Sequence, residues 1–276
     1  MADTPFLKWL GSKRQLLPEL RKHVPPSFKR YFEPMVGGGA LFFDVAPRDA
    51  FLGDQNSRLV TTYKGVRDHV EELIALLKTY PYEKEFFLVK RAEDIDDARK
   101  YGPVEVAAWF IYLNRTGFNG CYRVNRSGGF NVPFGKYDNP VICQEDALRA
   151  ASKALQRVKF HMGDFELTTE TARADDFVYF DPPYVPVSAT ADFTAYTADG
   201  FNAADQERLR DHARALAERG VHVMLSNSDT SPVRDLYKGK SFVIHEVQAR
   251  RSINSKTSKR GKVGELIITT KAKGRR

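Results

Sequence analysis

The segment Phe177-Val-Tyr-Phe-Asp-Pro-Pro-Tyr184 joins four apolar residues to an acid and a double proline. The apolar residues have high β propensity and predict a buried strand, which ends at the prolines because proline has no N–H for a strand ladder. Other short apolar runs that end in a polar residue are 31–33, 50–54, 158–164 and 221–227. In an open parallel sheet, ligands bind beyond the carboxyl ends of the strands. The repeated pattern therefore predicts an α/β protein with a site at that edge.

A long segment between the second and third runs breaks this rhythm. Apolar residues from Leu59 to Leu77 recur at helical spacing, and Pro103 can begin another helix. A glycine-rich basic segment follows at 114–137. We therefore predict a mostly helical insertion at 58–144 that carries this segment as a loop, within a sheet domain formed by 1–57 and 145–276. Runs at 242–247 and 265–270 predict a hairpin that closes the sheet.

The composition is that of a folded globular protein. The chain has 276 residues, of which 43 are Lys or Arg and 35 are Asp or Glu, for a formal net charge of +8. A hydrophobic fraction of 42% suffices for a core and excludes intrinsic disorder. The two cysteines offer no disulfide framework, the six histidines have no metal spacing, and no apolar run has the length of a membrane span. We expect an intracellular, soluble protein without a metal.

The positive charge is concentrated in three stretches. Residues 1–30 carry +5, 114–137 carry +4 and 249–276 carry +9, which leaves −10 for the rest of the chain. In 114–137 the cations alternate with aromatic residues, amides and glycines. Such a mixture can neutralise phosphates, stack on bases and hydrogen-bond base edges, so it predicts a nucleic-acid partner.

The segment Asp181-Pro-Pro-Tyr184 offers a chemistry for such a partner. The amino group of a nucleobase is a poor nucleophile because its lone pair is delocalised into the ring. The Asp181 carboxylate and the Pro182 carbonyl can accept its two N–H hydrogens and free the lone pair for attack. Tyr184 can stack on the base, which must leave the double helix to enter this pocket.

The segment Phe32-Glu-Pro-Met-Val-Gly-Gly-Gly-Ala40 predicts a second ligand near the first strand. Gly37 and Gly39 let the backbone approach a ligand closely, but the spacing of a dinucleotide-binding motif is absent and a pyrophosphate is disfavoured. Asp54, at the end of the next strand, can accept from ribose hydroxyls. Asp164-Phe165 adds an acceptor and an aromatic ring for a purine. These residues favour a nucleoside without phosphates.

Together the motifs resemble Dam-type adenine-specific DNA methyltransferases, which belong to the D12 class and the alpha group of amino-methyltransferases. The resemblance covers nearly the whole chain. The motifs are Lys8-Trp-Leu-Gly-Ser-Lys13, Phe32-Glu-Pro-Met-Val-Gly-Gly-Gly39, Asp54-Gln-Asn56, Leu113-Asn-Arg-Thr-Gly-Phe-Asn-Gly120, Phe130-Asn-Val-Pro-Phe-Gly-Lys-Tyr137, Asp181-Pro-Pro-Tyr184, Ser188-Ala-Thr-Ala-Asp-Phe-Thr-Ala-Tyr196 and Arg250-Arg-Ser-Ile253. It implies a Rossmann-like, S-adenosylmethionine-dependent methyltransferase sheet with an inserted target-recognition region.

The resemblance also implies roles for single residues. The cofactor S-adenosyl-L-methionine is bound by Trp9, Lys13, Glu33, Asp54, Asp164 and Phe165, to which the residue chemistry adds Gly37, Gly39 and Asp181. The catalytic residues are Asp181, Pro182 and Tyr184. The residues implied to read a GATC-like site in double-stranded DNA are Lys8, Arg123, Pro133 and Tyr137, and the further DNA contacts are Arg115, Phe118, Asn119, Lys136, Arg250 and Arg251. We expect a monomer in the cytoplasm, either associated with the nucleoid or, for a viral protein, in its host.

The sequence departs from the family pattern beside Arg123, where Cys121-Tyr122 replaces the familiar Leu-Cys or Leu-Tyr pair. Alternatives therefore stay open. Cytosine N4 presents a similar amino group, although Ser-Pro-Pro-Tyr is commoner in enzymes that methylate it, and the pocket chemistry does not distinguish RNA from DNA. A non-catalytic DNA-binding relative would have lost Asp181, Tyr184 or Asp54. A dehydrogenase would leave Asp181-Pro-Pro-Tyr184 without a role.

Overall fold

The protein is built around a seven-stranded sheet. The structure is a computed structural model that describes residues 5–184, 201–250 and 262–270, without the side chains of residues 249, 250, 262 and 263. The strands are β1 (Tyr31–Glu33), β2 (Ala50–Asp54), β3 (Val158–Met162), β4 (Phe177–Phe180), β5 (His222–Ser228), β6 (Phe242–Arg250) and β7 (Lys262–Thr270). Their order in the sheet is β3-β2-β1-β4-β5-β7-β6. The first five strands in this order are parallel, and β7 lies antiparallel between β5 and β6. The predicted α/β class is confirmed.

Helices cover both faces of the sheet. They are α1 (Leu17–Arg21), α2 (Ala40–Val45), α3 (Ser57–Asp68), α4 (Val70–Lys78), α5 (Lys84–Ala92), α6 (Pro103–Thr116), α7 (Glu145–Leu155), α8 (Phe165–Thr169), α9 (Ala203–Glu218) and α10 (Ser231–Leu236), with 3-10 turns at Lys13–Gln15 and Phe118–Gly120. Strand side chains alternate between two cores: Tyr31 and Tyr179 join one, and Phe32 and Phe180 join the other. This alternation is why each central strand is apolar throughout. No described helix is long and apolar enough to cross a membrane.

The elements α3 to α6 lie between β2 and β3, where the sequence predicts the insertion. The side chains of α6 are buried continuously from Val106 to Thr116. Helix α6 crosses α3 closely, since a Cβ on Gly65 would lie 2.6 Å from the carbonyl oxygen of Pro103. Leu73 and Trp109 belong to the same apolar core as Tyr31 of β1. The helices between β2 and β3 therefore extend the core of one sheet face.

Strand register brings the polar strand ends to one edge. Glu33 pairs with Leu52, two residues before Asp54, and Tyr31 pairs with Phe177, four residues before Asp181. The β6–β7 hairpin is longer than the runs predicted from sequence, because the pairing continues to Arg250 opposite Lys262. The carboxyl edge of the parallel strands is therefore where the candidate residues meet.

Candidate active site

The carboxylate of Asp181, just beyond β4, lies beside the ammonium group of Lys13. Lys13 Nζ is 2.8 Å from Asp181 Oδ1, and the lysine side chain is 7% exposed. The same ammonium donates to the Gly11 carbonyl at 2.6 Å. The contact with Asp181 is therefore a close, charge-assisted pair that supplies a cation to this carboxylate. Burial raises the pKa of Asp181 to about 6, although Lys13 opposes the rise.

Glu33, the last residue of β1, is a second buried acid at this edge. It is 2% exposed, and its Oε2 accepts a 2.8 Å hydrogen bond from the Tyr31 hydroxyl. Burial raises the pKa of Glu33 to about 8, and the charge of Asp181 adds to the rise, while the bond from Tyr31 opposes it. At neutral pH we therefore expect Glu33 to be protonated and Asp181 to be ionised.

The glycine turn after β1 is held between Asp54 and Trp9. Asp54 Oδ2 accepts from the backbone N–H of Gly37 at 3.1 Å, and Oδ1 accepts from that of Asn56 at 3.0 Å. Gly37 has φ +46°, and a Cβ there would lie 2.5 Å from Trp9 Nε1, so only glycine fits beneath the indole. Gly39 has φ +64° and caps α2. Burial raises the pKa of Asp54 to about 6 against these backbone hydrogen bonds.

Trp9 connects this turn with the segment predicted to read DNA. Its ring stacks on Phe110 and Tyr122 with centroid distances of 6.4 and 6.3 Å, and those two rings stack on each other at 4.9 Å. Tyr122 directly precedes Arg123 in the chain. A continuous aromatic stack therefore runs from the glycine turn to the basic segment.

Asp164 and Phe165, predicted as an acceptor and a ring for a purine, lie at the start of α8 with a partner that the sequence did not reveal. Asp164 caps the helix by accepting from the Glu166 N–H at 3.0 Å. Its carboxylate also accepts from both terminal nitrogens of Arg208, at 2.8 and 3.0 Å. The Arg208 guanidinium lies 4.4 Å from the centroid of the Phe165 ring. Burial opposes ionisation of Asp164, but the hydrogen bonds from Arg208 lower its pKa overall.

The proline turn is anchored from two neighbouring elements. The Tyr184 hydroxyl donates to Glu265 Oε2 on β7 at 2.8 Å, and Lys13 Nζ lies 4.6 Å from the Tyr184 ring centroid. Gln206 Nε2 on α9 donates to the Pro183 carbonyl at 2.9 Å. Sequence reasoning missed Glu265 and Gln206; the signal for Glu265 is an acid at the start of an otherwise apolar strand run.

Lys8 joins the N-terminal segment to the basic segment 114–137. The Asn114 side chain accepts from the Lys8 N–H at 2.9 Å and donates to the carbonyls of Lys8 and Gly120 at 2.7 and 2.9 Å. Lys8 Nζ lies 4.4 Å from the Tyr137 ring centroid. Lys8 and Tyr137, both predicted to read DNA, are thus adjacent, and Asn114 holds the backbone of Lys8 against that of Gly120.

The exposed residues of 114–137 lie on or near a short hairpin, in which Val124 pairs with Phe130, and the 3-10 turn Phe118–Gly120. The Arg123 side chain is exposed and donates to Asn131 Oδ1 at 2.7 Å and to the Asn131 carbonyl at 3.1 Å. The other exposed side chains predicted to contact DNA are Phe118, Asn119, Pro133 and Lys136. Pro133 accepts from the Phe118 N–H at 2.9 Å, which joins the two parts of the segment.

Arg115 does not have the exposed position predicted for a contact near the DNA backbone. It is 8% exposed, and its guanidinium hydrogen-bonds the Phe6 carbonyl and the Gln144 side chain. As the penultimate residue of α6, it points into the protein with the rest of that helix, so a phosphate has no access to it. Arg250 lies at the end of β6 without a described side chain, and Arg251 and the motif 188–196 lie outside the described residues.

Comparison with known proteins decides the family. Residues 9–253 match the model of the D12 class N6 adenine-specific DNA methyltransferases. The chain belongs to this family. It is 46% identical over 270 residues to the type II methyltransferase M1.LlaDCHI of Lactococcus lactis subsp. cremoris, covering 96% of this chain and 94% of the relative. Identity is 42% to the type II methyltransferase M.MjaIII of Methanocaldococcus jannaschii, with 97% and 99% coverage.

The DNA adenine methylase of Escherichia coli K12 is 36% identical over 280 residues, covering 96% of this chain and 95% of that protein. The D12 methyltransferase is therefore an adenine-N6 DNA methyltransferase, as the motifs predict.

Proposed function

We propose that the enzyme transfers the methyl group of S-adenosylmethionine to N6 of an adenine that has flipped out of double-stranded DNA, within a GATC-like site. The observation that carries this proposal is the meeting of Asp181, Tyr184, Asp54 and the Gly37–Gly39 turn at one sheet edge. We further propose that residues 58–144 act as the target-recognition region on a catalytic domain of 1–57 and 145–276.

The residues at this edge fit S-adenosylmethionine. The Asp54 carboxylate accepts backbone hydrogen bonds from Gly37 and Asn56, and a carboxylate with about four lone-pair sites can also accept from ribose hydroxyls. A Cβ on Gly37 would lie 2.5 Å from Trp9 Nε1, so the bare backbone of this turn can approach a ligand closely beside the indole. We propose that Trp9, Lys13, Glu33 and Phe165 complete this pocket with Gly37, Gly39 and Asp164. Once bound, the cofactor supplies an electrophilic methyl group on a sulfonium.

The residues of the proline turn then activate the target amino group. The Asp181 carboxylate and the Pro182 carbonyl each accept one N–H, which returns the nitrogen lone pair toward the methyl group. Tyr184 is held by Glu265 and offers its ring to the flipped base. The chain needs no dedicated base, because the amine becomes acidic on methylation and its proton can pass to Asp181 or water. A pKa of about 6 keeps Asp181 ionised at neutral pH.

Base recognition is proposed for the exposed side of 114–137. Asn131 uses two of the five N–H donors of Arg123, which leaves three for a guanine edge. Lys8, Pro133 and Tyr137 lie on the same segment or contact it, and Phe118, Asn119 and Lys136 are exposed nearby. Arg250 and Arg251 remain proposed phosphate contacts, and Arg115 is withdrawn from this set because it is buried.

One experiment tests the reaction and the sequence together. The protein is incubated with labelled S-adenosylmethionine and plasmid DNA, the DNA is digested to nucleosides, and the modified positions are mapped. We expect N6-methyladenine within GATC. N4-methylcytosine would contradict the target base, and N6-methyladenine outside GATC would contradict the proposed specificity alone.

Variants assign the roles. Asp181→Ala should abolish methyl transfer while cofactor affinity stays largely intact, and near-normal turnover would refute its role. Arg123→Ala should relax base choice at one position of the site. By contrast, neutralising Lys136 should weaken binding to all sequences about equally and lower the salt slope by about one.

A further inference from the structure

A chain of buried amides connects the end of β5 to the proline turn. Gln206 on α9 is 4% exposed, and Asn227 on β5 is 1% exposed. Asn227 Nδ2 donates to Gln206 Oε1 at 3.1 Å, and Gln206 Nε2 donates to the Pro183 carbonyl at 2.9 Å. Asn227 Oδ1 in turn accepts from the Ser228 N–H at 2.9 Å. Each amide therefore fixes the orientation of the next, and Asn227 and Gln206 are together called the relay.

The turn needs such a partner because its prolines do not fix it completely. Each proline ring restricts φ of its own residue, and Pro183 also restricts ψ of Pro182, but ψ of Pro183, which sets the direction of the Pro183 carbonyl, stays free. The bond from Gln206 defines the direction of the Pro183 carbonyl and with it the path of the chain into Tyr184. It also uses the Pro183 carbonyl, whereas no described residue donates to the neighbouring Pro182 carbonyl.

We propose that Gln206, oriented by Asn227, is a positioning residue for methyl transfer. By holding the Pro183 carbonyl, it fixes ψ of Pro183 and with it the position of the Tyr184 ring relative to the Pro182 carbonyl. This inference rests on the proposed role of Asp181-Pro-Pro-Tyr184. Misplacement of reacting groups by about 1 Å can cost about a hundredfold in rate. The relay should therefore affect the rate of the chemical step far more than cofactor affinity.

Two substitutions of Gln206 separate positioning from packing. Gln206→Met keeps the length and apolar bulk of the side chain but removes both hydrogen bonds. Gln206→Glu keeps the shape and the acceptor for Asn227, but an oxygen then faces the Pro183 carbonyl. The exposed Glu207 on the same helix supplies a matched control as Glu207→Gln. Measurements are the single-turnover methylation rate at saturating cofactor and duplex DNA, the cofactor Kd and the melting temperature.

We expect both Gln206 variants to lose about a hundredfold in single-turnover rate, with the cofactor Kd close to that of the parent. The melting temperature should fall by a few degrees, because the buried Pro183 carbonyl loses its donor. Glu207→Gln should match the parent in every measurement. Asn227→Asp should mimic Gln206→Glu, because a carboxylate at 227 recruits Gln206 Nε2 and turns Oε1 toward the Pro183 carbonyl. A normal rate in Gln206→Met or in Asn227→Asp would overturn the proposal. A cofactor Kd that rises in parallel with the loss of rate would also overturn it, since that would show a general structural role.

An Asp181→Ala arm keeps this test distinct from that of the proposed function. Full activity in Asp181→Ala would refute the pocket itself, and the relay with it. An inactive Asp181→Ala beside a fully active Gln206→Met would refute the relay alone.

Discussion

Replacing Lys13 by methionine should move the acid limb of the pH–rate profile to higher pH. In the proposed mechanism the ionised Asp181 carboxylate accepts a hydrogen from the target amino group, so we expect activity to fall as the pH drops through its pKa. That pKa is about 6, raised by burial and opposed by the charge and hydrogen bonding of Lys13. Lys13→Met removes the opposing charge, so the carboxyl group protonates at a higher pH and the limb moves upward.

The distance between the two groups bounds the size of the shift. At 2.8 Å, the attraction between unit charges is about 1.5 kcal/mol at the dielectric constant of water and about 6 kcal/mol at an effective value near 20. One pH unit corresponds to about 1.4 kcal/mol, and the loss of a close opposite charge typically moves a pKa by about one to three units. The midpoint of the limb should therefore move from about 6 to between about 7 and 9.

The assay is the single-turnover methylation rate on duplex DNA as a function of pH. Because Lys13 is also proposed to contact the cofactor, saturation is verified at each pH by doubling the cofactor concentration. Lys13→Arg retains a positive charge and should keep its limb near that of the parent. A Glu33→Gln background removes the second buried carboxyl group, whose own pKa is about 8. A Lys13→Met limb that stays at the parental pH would refute the reasoning.

Three further predictions concern residues around the site. The pKa of Glu33 is about 8 in the folded protein, against an ordinary value of 4.5. Between these two pH values the folded protein keeps a proton that the unfolded chain has lost, so the free energy of unfolding falls as the pH rises. Glu33→Gln should remove up to about 1.4 kcal/mol of this fall per pH unit, seen as diverging urea midpoints between pH 5 and 8. Glu265→Ala should lower kcat/KM about tenfold by releasing the Tyr184 hydroxyl, and Glu265→Gln, which keeps an acceptor, should lose less. Arg115→Met should lower the free energy of unfolding by about 1–3 kcal/mol through its unpaired buried acceptors, with no change in the salt dependence of DNA binding.

The strand ends could be predicted because their signal is local. A buried strand is a short apolar run, and its first polar residue marks the edge where ligands gather, which locates Glu33, Asp54 and Asp181 from the sequence. The long side chains could not be placed in the same way. Arg115 belongs to a basic stretch, yet its side chain is buried because α6 is buried along its length from Val106 to Thr116. The ion pair of Arg208 with Asp164 depends on how α9 packs, and nothing in the sequence spacing relates them.

The same packing changes the meaning of the basic stretches. Within 1–30, the residues Lys13, Arg21, Lys22, Lys29 and Arg30 each form an ion pair with an acid. The +5 of that stretch therefore overstates the charge that DNA can meet there. In 114–137, Arg123, Arg126 and Lys136 are exposed, and none is ion-paired with an acid among the described residues. A phosphate that approaches these side chains meets cations whose charge no described carboxylate offsets. The middle stretch, although its net charge is smaller than that of the N-terminal stretch, therefore leaves more unpaired positive charge at the surface. If 114–137 reads bases as proposed, we expect it to contribute electrostatic affinity for DNA as well.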